Sequence, residues 1–399
     1  TLVEPAFFYL HSKCIQNGRI QSVGNTQKAY CEDLYEWWMW LSELKKEWDH
    51  VGNKDIIDYR NVLQNEFSPH THRRYRSSTI RRRLSTILDY YRWAFNLGLI
   101  KDNLDLREIR RIPQNRDRRV LAHLDIGPAT KSVSTILPKQ TEEELIDPFN
   151  ARDLKAVLHI LGAIPPTEAG PHADTRPVRD RLIAELQVTT GMRIDEVLSL
   201  TVYQILGLPT NIRDPYELTK LKIDITKGLT PRIVLIPGWV RKALLWYIDN
   251  ERKPAVEART HTTARRSIKT DALFVNGLSA NHRDVGNRLR PRAYMRVFSH
   301  AVRTAGLVHQ ELHRDPATGT DRLATVVNHT SHDLRHTFAV QTYRSRKSKG
   351  DAEPWKVLQV LLGHKQLSTT IDIYLRAVNI DEAKISDNLQ AFFRKVHRG

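Results

Sequence analysis

Six side chains spread between positions 193 and 374 of this sequence carry groups that can break and reseal a phosphodiester: Arg193, Lys227, His332, Arg335, His364 and Tyr374. Attack of a side-chain oxygen on phosphorus needs positive charge against the non-bridging oxygens, a proton for the leaving 5′ oxygen, and a nucleophile that stores the bond. Arg193 follows Gly191 in TGMRIDEVLSL, near the start of an amphipathic helix, where the positive helix end favours phosphate. On its own this motif is weak, because an arginine beside Asp195 or Glu196 on a helix is common. Lys227 sits in the turn ITKG, where a lysine can reach a ligand but more often faces water. His332 and Arg335 in HDLRHTFA are three apart, so one helix face offers a titratable group beside a planar phosphate clamp. The competing reading, zinc on His332 and His336, lacks the glutamate of a zinc-protease motif at position 333 and an evident third ligand. LLGHKQLSTTIDIY brings His364 and Tyr374 into one short segment, although a tyrosine there suits a core equally well. Together the six supply charge, proton and nucleophile, and arginines can do the electrostatic work that metal ions do elsewhere.

These residues need elements to position them. Beyond Asn150 the run ARDLKAVLHIL predicts a helix, as does RDRLIAELQVTTG, while KLKIDIT and PRIVLIP flank Lys227 as a hairpin. Nearer the N-terminus, apolar residues at Tyr30, Leu34, Trp37, Trp38, Leu41, Leu44 and Trp48 predict one helix starting at Asn25 or Thr26. Ile80, Leu84, Ile87, Leu88, Tyr91 and Phe95 predict a second, from near Ser78 to a C-cap at Gly98. For Trp37, Trp38, Trp40 and Trp48 the helical spacing favours core packing over base stacking. The second helix and its approach carry Arg73, Arg74, Arg76, Arg81, Arg82 and Arg83, which repel one another unless phosphate neutralises them, so DNA contact is expected rather than a merely solvated face.

The chain of 399 residues is long enough for two domains, and its 62 Lys and Arg against 45 Asp and Glu suit a polyanionic partner. No apolar run approaches the roughly 18 residues of a membrane span, and the N-terminus lacks a secretory signal pattern, so no membrane role is expected. Cys14 and Cys31 have neither the number nor the spacing of a disulfide framework or zinc site, and a reducing compartment is the simpler reading.

In order and spacing, TGMRIDEVLSL, ITKG, HDLRHTFA and LLGHKQLSTTIDIY resemble the signature of the tyrosine recombinases, the phage integrase family. The resemblance covers roughly residues 150 to 380, and more loosely 22 to 104, which is similar to the family's core-binding domain. It implies a mainly α fold with a small β-hairpin in the catalytic domain, the two domains forming a clamp on DNA. It implies that Tyr374 is the nucleophile giving a 3′-phosphotyrosine, Lys227 the general acid, Arg193, Arg335 and His364 the phosphate clamp, His332 a proton-transfer or orienting group, and Glu196 the supporting acid. Neither ATP, metal nor any other cofactor is implied. The implied partner is a double-stranded DNA recombination site, bound by a homo-tetramer that is monomeric when free, with accessory DNA-bending or directionality factors. The setting is the cytoplasm and nucleoid of a prokaryotic cell, in the service of a mobile genetic element. Arg376 stands where many members have a histidine.

The expected organisation is an N-terminal extension over 1–21, a helical core-binding domain over 22–104, a basic linker over 105–147, a catalytic domain over 148–381 and a C-terminal helix over 382–399. That last helix packs on its own domain or docks in a neighbouring subunit, and both readings stay open. Stretches 162–178, 251–271 and 309–328 read as long surface loops, and no additional N-terminal module for accessory arm sites is evident. Two rival functions fit parts of the pattern: a type IB-like topoisomerase using the same nucleophile, and a non-catalytic architectural DNA-binding protein.

Overall fold

The computed structural model describes residues 4–16, 23–69, 71–104, 107–111, 130–138, 146–165, 174–209, 214–224, 231–262, 270–315, 318–364, 367, 370, 371 and 374. The chain divides into two units, Thr1–Glu143 with Glu311–Ala324, and Glu144–Gln310 with Thr325–Gly399. Lys227, Arg376 and the expected C-terminal helix over 382–399 lie outside the described residues.

The first unit is built on helices α1 (Glu4–His11), α2 (Val23–Glu43), α3 (Asn53–Asn65) and α4 (Ser77–Asn96). The apolar spacing that predicts α2 and α4 is the face they bury: Leu34, Trp37 and Leu41 from one meet Ile80, Leu84, Ile87, Leu88 and Tyr91 from the other. Trp37 is fully enclosed, stacks on Trp40 at 5.1 Å and donates Nε1–H to the Tyr91 hydroxyl at 3.1 Å, so the tryptophan cluster is core. The segment expected as an extension is part of this core. Tyr9 on α1 is buried against Tyr90 and Trp93, and its hydroxyl donates to Asp89 at 2.8 Å. Helix α3 escapes the sequence reading because only Ile56, Tyr59 and Leu63 are buried along its polar length. Within the expected linker the backbone forms two antiparallel strands, β1 (Arg107–Arg111) and β2 (Thr130–Ser134), with Ile109 opposite Ser132.

The second unit begins with α5 (Ala151–Leu161), where the Asn150 side chain caps the helix by accepting from the Asp153 amide at 2.9 Å. Helix α6 (Arg179–Thr190) runs through the core, burying Leu182, Ile183, Ala184 and Leu186 on nearly all sides. Short helices α7 (Ile194–Ser199) and α8 (Val202–Leu206) follow. The predicted hairpin is present as β3 (Leu218–Ile223) and β4 (Arg232–Pro237), antiparallel with Ile223 opposite Arg232 at the end that flanks Lys227. Helices α9 (Gly238–Tyr247), α10 (Lys253–Thr262) and α11 (Pro291–Thr304) complete the central layer. The expected loop over 251–271 is thus helical in its first half, with Ala255 buried.

Strands β5 (Val308–Arg314) and β6 (Asp321–Val327) replace the loop expected over 309–328. Glu311–Ala324 of this hairpin groups with the first unit. There Arg73 pairs with Glu311 at 2.7 Å and donates to His313 at 2.9 Å, and the Arg314 amide donates to the His72 carbonyl at 2.9 Å. Charged and polar alternation hides such a hairpin from hydrophobic patterning. Helices α12 (Ser331–Ser348) and α13 (Pro354–Leu362) close the second unit. Among the described residues no helix is long and apolar enough to cross a membrane.

Candidate active site

The site assembles where the ends of α6, α7, α12 and α13 meet, all within the second unit. Helix α6 stops because Gly191 adopts φ +67°, a left-handed conformation that favours glycine. A Cβ there would lie 2.4 Å from the Phe338 ring of α12, so the glycine also lets these two helices approach. Two residues on, Arg193 caps α7. Its backbone N–H donates to Oε2 of Glu196 at 2.8 Å, and Nη1 lies 3.1 Å from Oε1.

Glu196 is buried, yet its carboxyl titrates below the usual range. Burial alone would raise it, but Arg232, 2.7 Å from Oε2, and Arg193 together outweigh that. Arg232, at the first position of β4, also donates Nη1–H to the Leu361 carbonyl at the end of α13. Sequence reading misses this arginine, since one charged residue opening an apolar strand reads as an exposed end. It is nearly enclosed, and its stem packs so closely on Gly363 that a Cβ there would meet it at 2.7 Å.

Arg335, one helical step inside α12, is 1% exposed. Its Nη1 donates to the Gly191 carbonyl, and its Nη2 donates to the Leu362 carbonyl at 2.7 Å and faces Nε2 of His364 at 3.3 Å. Burial and the neighbouring Arg193 pull this guanidinium down to about 10, so it remains a cation at neutral pH. His364 also contacts the Thr370 hydroxyl through Nδ1 at 2.9 Å. Burial first, then Arg335, Arg193 and Arg232, push it down to about 4, which leaves a neutral imidazole. Since Arg335 can only donate, Nε2 of His364 accepts and Nδ1 carries the proton.

Tyr374 is 1% exposed and packs with Ala339, Val340, Leu358 and Leu362. Burial raises its phenol, with Arg335 and Arg193 pulling the other way. Its ring lies parallel to His364 at 6.5 Å, and its hydroxyl is 3.3 Å from Nδ1 of His336. His332 is exposed, its ring edge-on to His336 at 4.6 Å. Five of the six residues singled out for chemistry are therefore described: Arg335 contacts His364 directly, Tyr374 packs beside them, and Arg193 is tied to Arg232 through Glu196. His336, considered in the sequence only as a metal ligand, touches the tyrosine oxygen.

The arginines of the first unit divide. Arg83 is buried, 3.7 Å from Glu36 and 4.8 Å from the centre of the Tyr75 ring, and Arg82 pairs with the enclosed Asp33. Arg81 donates to the Pro138 carbonyl, and Arg73 is engaged by Glu311. Arg74 and Arg76 are exposed, with Arg74 over the Phe67 ring at 5.3 Å. Carboxylates thus partner Arg73, Arg82 and Arg83.

A buried phenol thus lies among guanidiniums and neutral imidazoles on a helical scaffold. The phage integrase family model matches residues 159–379, and that family's N-terminal SAM-like domain matches 21–98. The chain belongs to the phage integrase family and is a DNA strand transferase of the tyrosine recombinase kind. Tyrosine recombinase XerC of Roseiflexus sp. (strain RS-1) is 24% identical over 87% of this chain and 82% of its own length. Tyrosine recombinase XerD of Oceanobacillus iheyensis is 20% identical over 92% of each. Among solved structures, the XerH site-specific recombinase bound to palindromic difH substrate, in a post-cleavage complex, matches with a TM-score of 0.55 at 15% identity, covering 91% of this chain and 79% of that one. The Tn1549 transposon integrase (residues 82–397) with transposon right end DNA matches at 0.51 and 14% identity, covering 95% and 98%. These likenesses support the mainly α architecture with two-stranded sheets.

Proposed function

We propose that this recombinase cuts one strand of a duplex recombination site by attack of Tyr374 on the scissile phosphate, leaving a 3′-phosphotyrosine and a free 5′ hydroxyl. The observation that carries this reading is the placement of the Tyr374 phenol beside Arg335, itself held between the Gly191 and Leu362 carbonyls. Arg193 and Arg335 stabilise the charge that develops on phosphorus, and neutral His364 donates a further hydrogen bond once phosphate displaces one of its present partners. Lys227, in the sequence between β3 and β4, is the general acid on the leaving oxygen, and His332 orients the phosphate from the exposed end of α12. The phosphotyrosine conserves the bond energy, so a partner strand rejoins without ATP.

The relatives' printed descriptions, a XerH complex with difH and a transposon integrase on transposon DNA, support a duplex recombination site and a mobile element as the setting. Arg74 and Arg76 contact its backbone from the first unit. Assembly is a homo-tetramer on DNA, with the free chain a monomer in the cytoplasm that associates with the nucleoid and with accessory DNA-bending or directionality factors. The C-terminal segment 382–399 docks on a neighbouring subunit in that tetramer.

Trapping on a nicked site tests the nucleophile: the unaltered chain forms a covalent DNA adduct and Tyr374→Phe does not. An adduct with the Phe variant overturns the assignment. Exchange of strands between two labelled duplexes, as opposed to relaxation of a supercoiled circle alone, separates recombination from topoisomerase action.

A further inference from the structure

Before its oxygen can attack phosphorus, Tyr374 must lose a proton. Arg335 pulls the phenol downward by its charge but has no lone pair to receive the proton. His364 lies face-parallel at 6.5 Å, with Nδ1 against Thr370 and Nε2 against Arg335, so neither nitrogen points at the phenol oxygen. His332 is exposed and meets the edge of His336. Among the described residues, the basic nitrogen against the Tyr374 oxygen is Nδ1 of His336, at 3.3 Å.

We propose that His336 is the proton acceptor for Tyr374, with Nδ1 taking the phenol proton as the oxygen attacks and returning it when the strands are rejoined. This rests on the recombinase reading above. In the forward step the phenol O–H bond breaks and an N–H bond forms on Nδ1. The tyrosine oxygen bonds to phosphorus, the P–O5′ bond breaks, and the 5′ oxygen leaves with a proton from the general acid. In the reverse step the 5′ hydroxyl gives its proton back to the general acid as its oxygen bonds to phosphorus, the P–O bond to tyrosine breaks, and the departing phenolate recovers its proton from His336. The charge on this side chain balances at each stage, and no oxidant or further reactant enters.

The site keeps the acceptor weak until substrate arrives. His336 faces His332 and Arg335 from its own helix, and His364 and Tyr374 from the segment after α13. Burial, then His332, Arg335 and His364, hold it neutral by pushing it down to about 3. A phosphodiester against Arg193 and Arg335 brings a negative charge that offsets this repulsion, so His336 becomes a better base when there is a phosphorus to attack. The free chain thereby holds its nucleophile as a neutral phenol.

The test is single-turnover cleavage of a nicked duplex site by the full-length chain and its His336→Ala and His336→Asn variants, with Tyr374→Phe as control. Asparagine can place an oxygen near the Nδ1 position and hold the phenol, but it cannot take a proton. Both variants are expected to bind the site as the unaltered chain does and to cleave about 10²–10⁴-fold more slowly. A duplex with sulfur at the bridging 5′ position, whose leaving group needs no proton, is expected to leave them equally slow. Added imidazole is expected to restore part of the rate to His336→Gly. If His336→Asn cleaves within about threefold of the unaltered chain, or the sulfur duplex restores the variants, the proposal is overturned. A covalent adduct with Tyr374→Phe instead strikes the nucleophile assignment beneath it, so the two failures are distinguishable.

Discussion

Glu196 holds Arg232 at 2.7 Å through one carboxylate oxygen while the other oxygen lies 3.1 Å from Arg193, so a buried acid ties the β3–β4 hairpin to the start of α7. Glu196→Gln removes the charge both guanidiniums share and leaves Arg232 nearly enclosed without a counter-ion. A loss of about 3 kcal/mol is expected, read from denaturant unfolding. Because the folded carboxyl titrates below its ordinary value, its contribution is present above the unfolded carboxylate range and is lost as pH falls through the folded pKa. The Gln variant should therefore lack part of the acid-side decline, and an unchanged acid limb counts against the bridge.

The two site histidines add a different slope. In the unfolded chain each takes a proton near its ordinary 6.5, whereas the folded His364 and His336 resist until about 4 and about 3. Between those values the unfolded state binds more protons, so stability falls as pH drops from about 6.5. Thermal unfolding of His336→Asn across that window should show a shallower decline than the unaltered chain.

At Gly191 a methyl group meets the Phe338 ring at 2.4 Å on backbone with φ +67°. Gly191→Ala is expected to cost about 2 kcal/mol or more, from strain and overpacking together. Since the Gly191 carbonyl also receives Arg335, the adduct yield should fall as well as the unfolding midpoint. A variant as stable as the parent would show that α12 retreats freely.

Arg83 and Arg76 should separate along the line that burial draws between them. Arg83→Ala strips an ion-pair partner from enclosed Asp33 and Glu36, and an unfolding loss of about 2 kcal/mol is expected. Arg76→Ala, at an exposed site, should change unfolding by less than about 0.5 kcal/mol and reduce the salt dependence of DNA binding by about one phosphate contact, read from affinity against salt concentration.

What the sequence disclosed follows from which physics leaves a local trace. Helices α2, α4, α5 and α6 announce themselves through periodic apolar residues and caps such as Asn150, and β3 and β4 through alternating runs around a turn. The chemical residues were visible as types in order, from Arg193 to Tyr374. Helix α3 and the β5–β6 hairpin were not, because few of their residues are buried and periodicity records burial. Arg232 and His336 escaped for a related reason. Their importance lies in what the fold brings to them, Glu196 and the Leu361 carbonyl for one and the Tyr374 oxygen for the other, and none of these is near in sequence. In the arginine cluster, local charge density gives no sign of the partners that the fold supplies: Asp33 and Glu36, some fifty residues away, pair with Arg82 and Arg83.

The placement of Arg335 bears on how this enzyme can be disarmed. Its guanidinium fastens the end of α6 to the end of α13 through the Gly191 and Leu362 carbonyls, so the fork we propose for the phosphate is also a joint of the scaffold. Variation at this position cannot trade activity for robustness, because both are lost together. An inert chain meant to occupy its DNA without cutting should instead be made at Tyr374, where removal of one oxygen leaves the aromatic filling of the core in place.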